Sequence, residues 1–304
     1  MPILRRLSGH VQCWIIWELS SKMYMQCFMA PAKINLCLHV LGRRSSGYHD
    51  LCMLMQKVNL YDEVWIGLRD DPGVRVECAG VSLQGGEENI ALRAAEVLLS
   101  YVHDPFSPGV DIRIVKHIPV AAGLGGGSSD AATVLMALNH LLALNVEQSD
   151  LAQLALKLGA DVPFFLGSSP AWAEGVGEKL APLSHSLPKC YYVLANSGAT
   201  VSTAQVYRNV QQYSRCPGRD KPINTIEELV SVLHNDLESP ALLLAPEIEP
   251  IKSSLLKSGA KGALMSGSGA TVFGLFEGDA EAHAAAQHLE QSFGWWAKVV
   301  TEVA

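Results

Sequence analysis

The sequence predicts an α+β fold in two lobes, on three observations: strand-like and helical periods both occur, they do not alternate as regular β-α-β units, and 304 residues exceed the usual size of one compact domain. Residues 32–40 (AKINLCLHV) alternate and are rich in branched side chains, and residues 42–47 break the pattern, so a strand followed by a loop is expected. Residues 54–68 read as further strands. Residues 89–102 carry apolar side chains at helical spacing behind Asn89, a good N-cap residue. A strand over 110–116 leads into Ile118-Pro119 and a glycine-rich loop. The strongest helix spans 128–142, with Ala131, Val134, Leu135, Leu138, Leu141 and Leu142 on one face. A shorter helix at 149–158 runs into Gly159-Ala160-Asp161-Val162-Pro163, where glycine and proline predict a helix end and a stop. Gly, Ser and Pro are frequent over 167–188, the expected inter-lobe region. Strands are predicted at 191–195 and 270–276, and helices at 226–233 and 280–293. The expected boundaries are 1–28 for an N-terminal extension, 29–170 for the first lobe and 171–304 for the second.

With 49% hydrophobic and 17% charged residues and no low-complexity tract, the composition is that of a packed globular protein. A net charge of −7 and a pI near 5.8 argue against a nucleic-acid surface, which neutralises phosphates with clustered Lys and Arg. Any anion must be bound locally. The seven cysteines (Cys13, Cys27, Cys37, Cys52, Cys78, Cys190, Cys216) are scattered without Cys-x-x-Cys spacing, predicting neither a disulfide framework nor a zinc site and suiting a reducing cytosol. The histidines, among them His10, His39 and His103, lack metal-ligand spacing and are read as structural. An apolar stretch at 11–19 follows Arg5 and Arg6, but Gln12 and Glu18 lie at its edges and it falls far short of the roughly 20 residues of a membrane-spanning helix. Met23, Met25 and Met29 offer later starts, so 1–28 reads as an extension. A cytoplasmic protein without a membrane partner is expected, its oligomeric state unspecified.

Chemistry concentrates in Pro119-Val120-Ala121-Ala122-Gly123-Leu124-Gly125-Gly126-Gly127-Ser128-Ser129-Asp130, which sets four glycines and two hydroxyls at the mouth of the strongest helix. Glycine lets backbone N–H groups approach an anion, and a helix N-terminus adds unpaired donors with about half a unit of positive charge. Phosphates can thus be cradled without a basic patch. No Gly-Lys-Ser/Thr follows, so this is not a Walker A loop, and the dinucleotide G-x-G-x-x-G spacing is missing. A flexible turn capping a core helix is the plainer alternative. A second cluster, Ser266-Gly267-Ser268-Gly269-Ala270-Thr271, equally suits a tight turn.

Taken with Ala32-Lys33-Ile34-Asn35-Leu36 and Gly159-Ala160-Asp161-Val162-Pro163, these two clusters resemble the galactokinase, homoserine kinase, mevalonate kinase and phosphomevalonate kinase (GHMP) superfamily. Within it, Gly47-Tyr48-His49-Asp50, residues 123–132 and Ala173-Glu174-Gly175-Val176-Gly177-Glu178 are similar to the branch that acts on a cytidine-diphosphate-linked methylerythritol in non-mevalonate isoprenoid synthesis. The likeness runs from about Pro31 to the C-terminus. It implies a two-lobed GHMP kinase fold, with an N-terminal ATP-binding lobe of ribosomal-protein-S5-like type and a C-terminal, ferredoxin-like substrate lobe. It also implies ATP-dependent phosphorylation of the 2-hydroxyl of 4-diphosphocytidyl-2-C-methyl-D-erythritol.

By the same resemblance Lys33 and Asp161 form the catalytic pair. A carboxylate can accept the hydroxyl proton, and an ammonium nearby keeps that carboxylate ionised. By themselves they would be an ordinary strand lysine and helix-end acid. Pro119 to Ser129 would hold the ATP phosphates, with Asn89 and Lys116 at the adenosine part. Tyr48 and His49 would contact the cytosine, Tyr207 would stack on it, and Asn35 and Thr203 would touch the acceptor. Core packing or an exposed ring is the other reading of Tyr207. Magnesium is expected because phosphoryl transfer needs charge neutralisation, and Ser129 is the one ligand that suggests itself. A homoserine- or mevalonate-type kinase is the nearest alternative, against which Gly47-Tyr48-His49-Asp50 argues. A non-catalytic ligand sensor is another, against which Lys33 and Asp161 argue.

Overall fold

Alternating and continuous apolar runs build the strands, and their burial organises the chain. The computed structural model describes residues 13–19, 23–79, 89–102, 108–219 and 221–303, so part of the expected 1–28 extension lies outside the described residues. Two compact units result. One comprises Met1–Ala32, Leu60–Ile118 and Gly126–Gly167, the other Lys33–Asn59, Pro119–Gly125 and Ser168–Ala304.

In the first unit β1 (Cys13–Leu19) pairs antiparallel with the start of β2 (Met23–Arg43), Cys13 facing Phe28. The second half of β3 (His49–Arg69) pairs with β5 (Gly109–Val115), and β4 (Val74–Cys78) adds to β5 in parallel. Alternation decides the buried face: Val64, Ile66, Ile112 and Ile114 are each at most 2% exposed. Helices α1 (Ile90–Val102), α2 (Gly126–Leu141), α3 (Gln148–Leu158) and α4 (Val162–Leu166) pack with one another, and α1 also packs on β4. Asn89 caps α1 as expected, its Oδ1 accepting the Ala91 N–H at 2.9 Å.

Two expectations need revision here. Helix α2 does not present a single apolar face: residues 129–135, nearly two turns, are all buried, with small side chains at Ala131, Ala132 and Ala137, while His140 alone in 128–141 is exposed. Pro163 does not stop a helix but opens one, lying in the first turn of α4, where its missing N–H would have had no partner anyway.

In the second unit the first half of β3 pairs antiparallel with β6 (Ala171–Gly175), which pairs with β7 (Lys179–Pro182). The stretch expected to join two lobes is thus in part a hairpin of this unit. A separate antiparallel sheet runs β10 (Gly262–Met265), β11 (Val272–Phe276), β8 (Tyr191–Asn196), β12 (Trp296–Val300). All five residues of β11 are buried, and α8 (Ile248–Lys257) and α9 (Asp279–Phe293) pack on this sheet. Helix α5 (Thr203–Arg208) precedes α6 (Ile226–Ser231), which Thr225 and Glu228 close with a capping box. A two-residue strand β9 (His234–Asn235) runs parallel to β2, ahead of α7 (Glu238–Leu242). The cysteines depart from expectation: Cys52 and Cys216, 164 residues apart, are joined in a disulfide with Cα atoms 5.6 Å apart. Only the fold brings them together. Among the described residues, no helix is long and apolar enough to cross a membrane.

Candidate active site

The second unit assembles Lys33, Asn35, residues 119–125 and the Ser266–Thr271 turn. Lys33 and Asn35 are two residues apart on β2, so they share one face of the strand, and both are buried. Lys33 Nζ donates to Asn35 Oδ1 at 2.5 Å, and Asn35 Nδ2 points at the Met53 sulfur, 3.5 Å away. The Lys33 N–H donates to the Leu124 carbonyl at 2.9 Å, tying β2 to the glycine loop. Ser266 adds a second tie: its hydroxyl accepts the Asn35 N–H at 3.3 Å and donates to the Gly123 carbonyl at 3.0 Å. A third runs from the Thr271 N–H to the Ala122 carbonyl at 3.3 Å. Asn235, buried, holds the turn from the other side, donating to the carbonyls of Met265 and Gly267 at 2.8 Å each. The Ser266–Thr271 cluster, ambiguous in sequence, is therefore a turn fastened to the glycine loop. Gly123 shows how close the approach is: with φ at +79°, a β-carbon there would lie 2.0 Å from the Ser266 carbonyl oxygen. Along the loop Pro119 is half-buried, Val120 is exposed, Ala121 adopts φ +53° and Ala122 is buried.

The same unit gathers the aromatic candidates. Tyr48 is 66% exposed in the turn between β2 and β3, whereas His49, the first residue of β3, is buried. Tyr207 stacks on His49 with ring centres 5.2 Å apart and planes 25° apart. Burial pushes the His49 imidazole below its usual range, and Arg43 adds to this. Thr203 and Tyr207 are one helical turn apart on α5 and share a face. Thr203 Oγ1 meets Ser268 Oγ at 2.8 Å, so one end of that face touches the glycine turn and the other touches His49.

In the first unit Lys116 follows β5 and its ammonium bridges Asp62 and Asp130, at 2.7 Å from the latter. The two carboxylate side chains are 0% and 5% exposed. Asp62 Oδ1 also accepts the N–H groups of His117 and Ile118, at 2.6 and 2.8 Å. Burial pushes the Asp130 carboxyl up to about 7 against the opposing pull of Lys116. Gly126 makes room for this triad, since a β-carbon there would stand 3.2 Å from Lys116 Nζ and 3.3 Å from Asp62 Oδ2. A β-carbon at Gly127 would stand 3.7 Å from Ile90 Cγ2, an ordinary van der Waals contact. Ser128 is half-buried on the first turn of α2. Ser129 is fully buried, and among the described residues neither its Oγ nor Asp130 Oδ1 has a hydrogen-bond partner. Asn89 spends its side-chain oxygen on the α1 cap. Asp161, half-buried, occupies the N-cap position of α4.

Sequence reasoning passed over Asp62, Tyr213, Asn235 and the bridging role of Ser266. Tyr213 lies 6.4 Å from the His49 ring and is 52% exposed. Nothing local marks these residues; Asp62 looks like one more polar residue in Tyr61-Asp62-Glu63.

Comparisons with known proteins identify the family. The family description "GHMP kinases N terminal domain" matches residues 89–168, and "GHMP kinases C terminal" matches residues 219–294. The 4-diphosphocytidyl-2-C-methyl-D-erythritol kinase of Syntrophotalea carbinolica is 51% identical over 281 residues, covering 92% of this chain and 99% of the relative. That of Geobacter sulfurreducens is 47% identical, covering 90% and 98%. Among solved structures, a 4-(cytidine 5'-diphospho)-2C-methyl-D-erythritol kinase superposes with a TM-score of 0.74 at 39% identity, covering 91% of this chain and 99% of the other. Homoserine kinase from Cytophaga hutchinsonii superposes at 0.69 with 18% identity, covering 95% and 97%, a likeness of fold alone. The chain has the α+β GHMP kinase fold and belongs to the 4-diphosphocytidyl-2-C-methyl-D-erythritol kinase family.

Proposed function

We propose that this kinase transfers the γ-phosphoryl group of ATP to the 2-hydroxyl of 4-diphosphocytidyl-2-C-methyl-D-erythritol, giving the 2-phosphate and ADP. The observation that carries the proposal is 51% identity across 99% of a relative bearing that name. In chain order, 29–170 would serve ATP and 171–304 would complete the acceptor site. Backbone N–H groups of residues 119–129 and the first turn of α2 would hold the phosphates, with Asn89 and Lys116 at the adenosine end. Asp161 would take the proton of the 2-hydroxyl, and Lys33 would hold that hydroxyl in line. Asn35 and Thr203 would fix the acceptor. Tyr48, His49 and Tyr207 would bracket the cytosine, and the Tyr213 ring beside His49 would extend that wall.

The residues present fit a magnesium ion in one respect: Ser129 Oγ and Asp130 Oδ1 are buried oxygens without partners among the described residues, the hard donors such an ion takes. Bound there, it would neutralise charge on the β- and γ-phosphate oxygens. An ADP-release assay with 4-diphosphocytidyl-2-C-methyl-D-erythritol, homoserine and mevalonate side by side tests the reading. Turnover of the first alone is expected, and Asp161→Asn should abolish it with ATP affinity near normal. Preference for homoserine or mevalonate, or saturable binding without turnover, would reject the assignment.

A further inference from the structure

Two histidines read as structural lie against a carboxylate in the second unit. Strand β9 pairs in parallel with β2 through Cys37 and Leu38, which sets His234 beside His39 with ring centres 4.3 Å apart and planes 11° apart. The residue after β9 is Asp236. Its Oδ1 is 2.6 Å from His234 Nε2, and its Oδ2 accepts the Val40 N–H at 2.7 Å and the Ser214 hydroxyl at 2.5 Å. One ligand atom from each of His39, His234 and Asp236 lies within 4.8 Å of the others.

We infer that His39, His234 and Asp236 form a site for a divalent transition metal of the zinc type, with a fourth position open to solvent. The hydrogen-bond directions favour this. Ser214 has one proton, which goes to Asp236 Oδ2, so towards His39 Nδ1, 3.0 Å away, its oxygen can only accept. His39 therefore carries its proton on Nδ1 and keeps a lone pair on Nε2, the arrangement by which an outer hydroxyl and carboxylate orient a metal-binding imidazole. Asp236 is pre-set in the same way, with Oδ2 held by two donors and Oδ1 turned to the histidine. Tetrahedral zinc with bonds of roughly 2.0–2.1 Å needs ligand atoms about 3.3 Å apart. The His234–Asp236 contact must widen and the reach to His39 must shrink. His234, with 44% of its side chain exposed, is free to make that rotation. Two imidazoles and one carboxylate suit zinc, cobalt or nickel, whereas magnesium prefers oxygen ligands and water. Bound metal would clamp β2, β9 and, through Ser214, the segment carrying Tyr213.

The test uses the full chain, stripped with chelator and titrated with zinc chloride, then separately with cobalt chloride. One zinc per chain is expected to bind in the presence of excess magnesium, with a rise in melting temperature. Affinity should fall at least tenfold in His234→Ala and in His39→Ala, while Cys216→Ser leaves it unchanged. His234 is exposed, so its variant should fold even if that at His39 does not. Cobalt should give a ligand-field spectrum without thiolate charge transfer. Failure to bind zinc, binding that survives His234→Ala, or a thiolate charge-transfer band from any cysteine would overturn the assignment.

Discussion

Replacing Lys116 by Met tests whether its ammonium is first of all the counter-charge of two buried carboxylates. Methionine is one heavy atom shorter and opens little cavity, so the change is chiefly one of charge. Asp62 and Asp130, 0% and 5% exposed, would then face each other without a cation. Removing one partner of a buried ion pair typically costs about 3–5 kcal/mol, because the charge left behind cannot be resolvated. Asp62 cannot turn away, since its other oxygen is held by two backbone N–H groups. The expected loss is therefore in that range, a large fraction of the stability of an ordinary domain. Urea unfolding of the nucleotide-free protein reads it as a fall in midpoint at constant slope. Lys116→Met/Asp130→Asn should recover much of the loss, because one carboxylate is then neutral. A loss below about 1 kcal/mol, or no recovery in the double variant, would refute the reasoning, and a lone tenfold loss of ATP affinity would make Lys116 a nucleotide ligand before a structural cation.

Gly123→Ala should raise the Michaelis constant for ATP about tenfold or more, since the left-handed backbone alone costs an alanine roughly 1–2 kcal/mol and its β-carbon would also strike the Ser266 carbonyl. Gly73→Ala, at φ +97° with nothing within 4 Å among the described residues, should pay only the backbone cost and leave the ATP constant unchanged. Burial lowers the Lys57 ammonium from 10.5 to about 8, so between those values the folded chain holds fewer protons than the unfolded one. The penalty is complete below pH 8 and is relieved as pH rises to 10.5, so Lys57→Met should be more stable than the parent at pH 7, by at most about 3 kcal/mol, with the gap closing by pH 10. Melting curves at the two pH values check this, and a gap that stays constant would count against it.

What was legible in the sequence was local. The α1 cap needed only Asn89 and the two residues after it, and the α2 start needed only glycines followed by Ser-Ser-Asp. Strand lengths were less legible: β3 runs unbroken for 21 residues, and residues 51–58 are all buried, which erases the alternation that marks a strand. Contacts between distant segments left no trace. Lys116 and Asp62 are 54 residues apart, Ser266 and Gly123 143, Cys52 and Cys216 164. Thr203 and Tyr207 lie between these cases, because their four-residue spacing was visible but the helix that gives it meaning is only six residues long.

The glycines of residues 119–129 have packing causes beside the proposed phosphate role. Access of an anion to backbone N–H groups would explain their number but not their individual places. Gly123 is needed where the Ser266 carbonyl presses on the loop in one unit, and Gly126 where Lys116 and Asp62 press on the start of α2 in the other. These two glycines are thus required by packing, whatever binds. The same geometry bears on charge. Lys116, one of the 23 lysines and arginines of a chain with net charge −7, is already matched by two carboxylates and adds little net positive field for a phosphate. On the proposed reading, phosphate at this loop would be held by the N–H groups of residues 119–129 and the N-terminus of the 16-residue α2, donors that an acidic protein can supply without a basic patch.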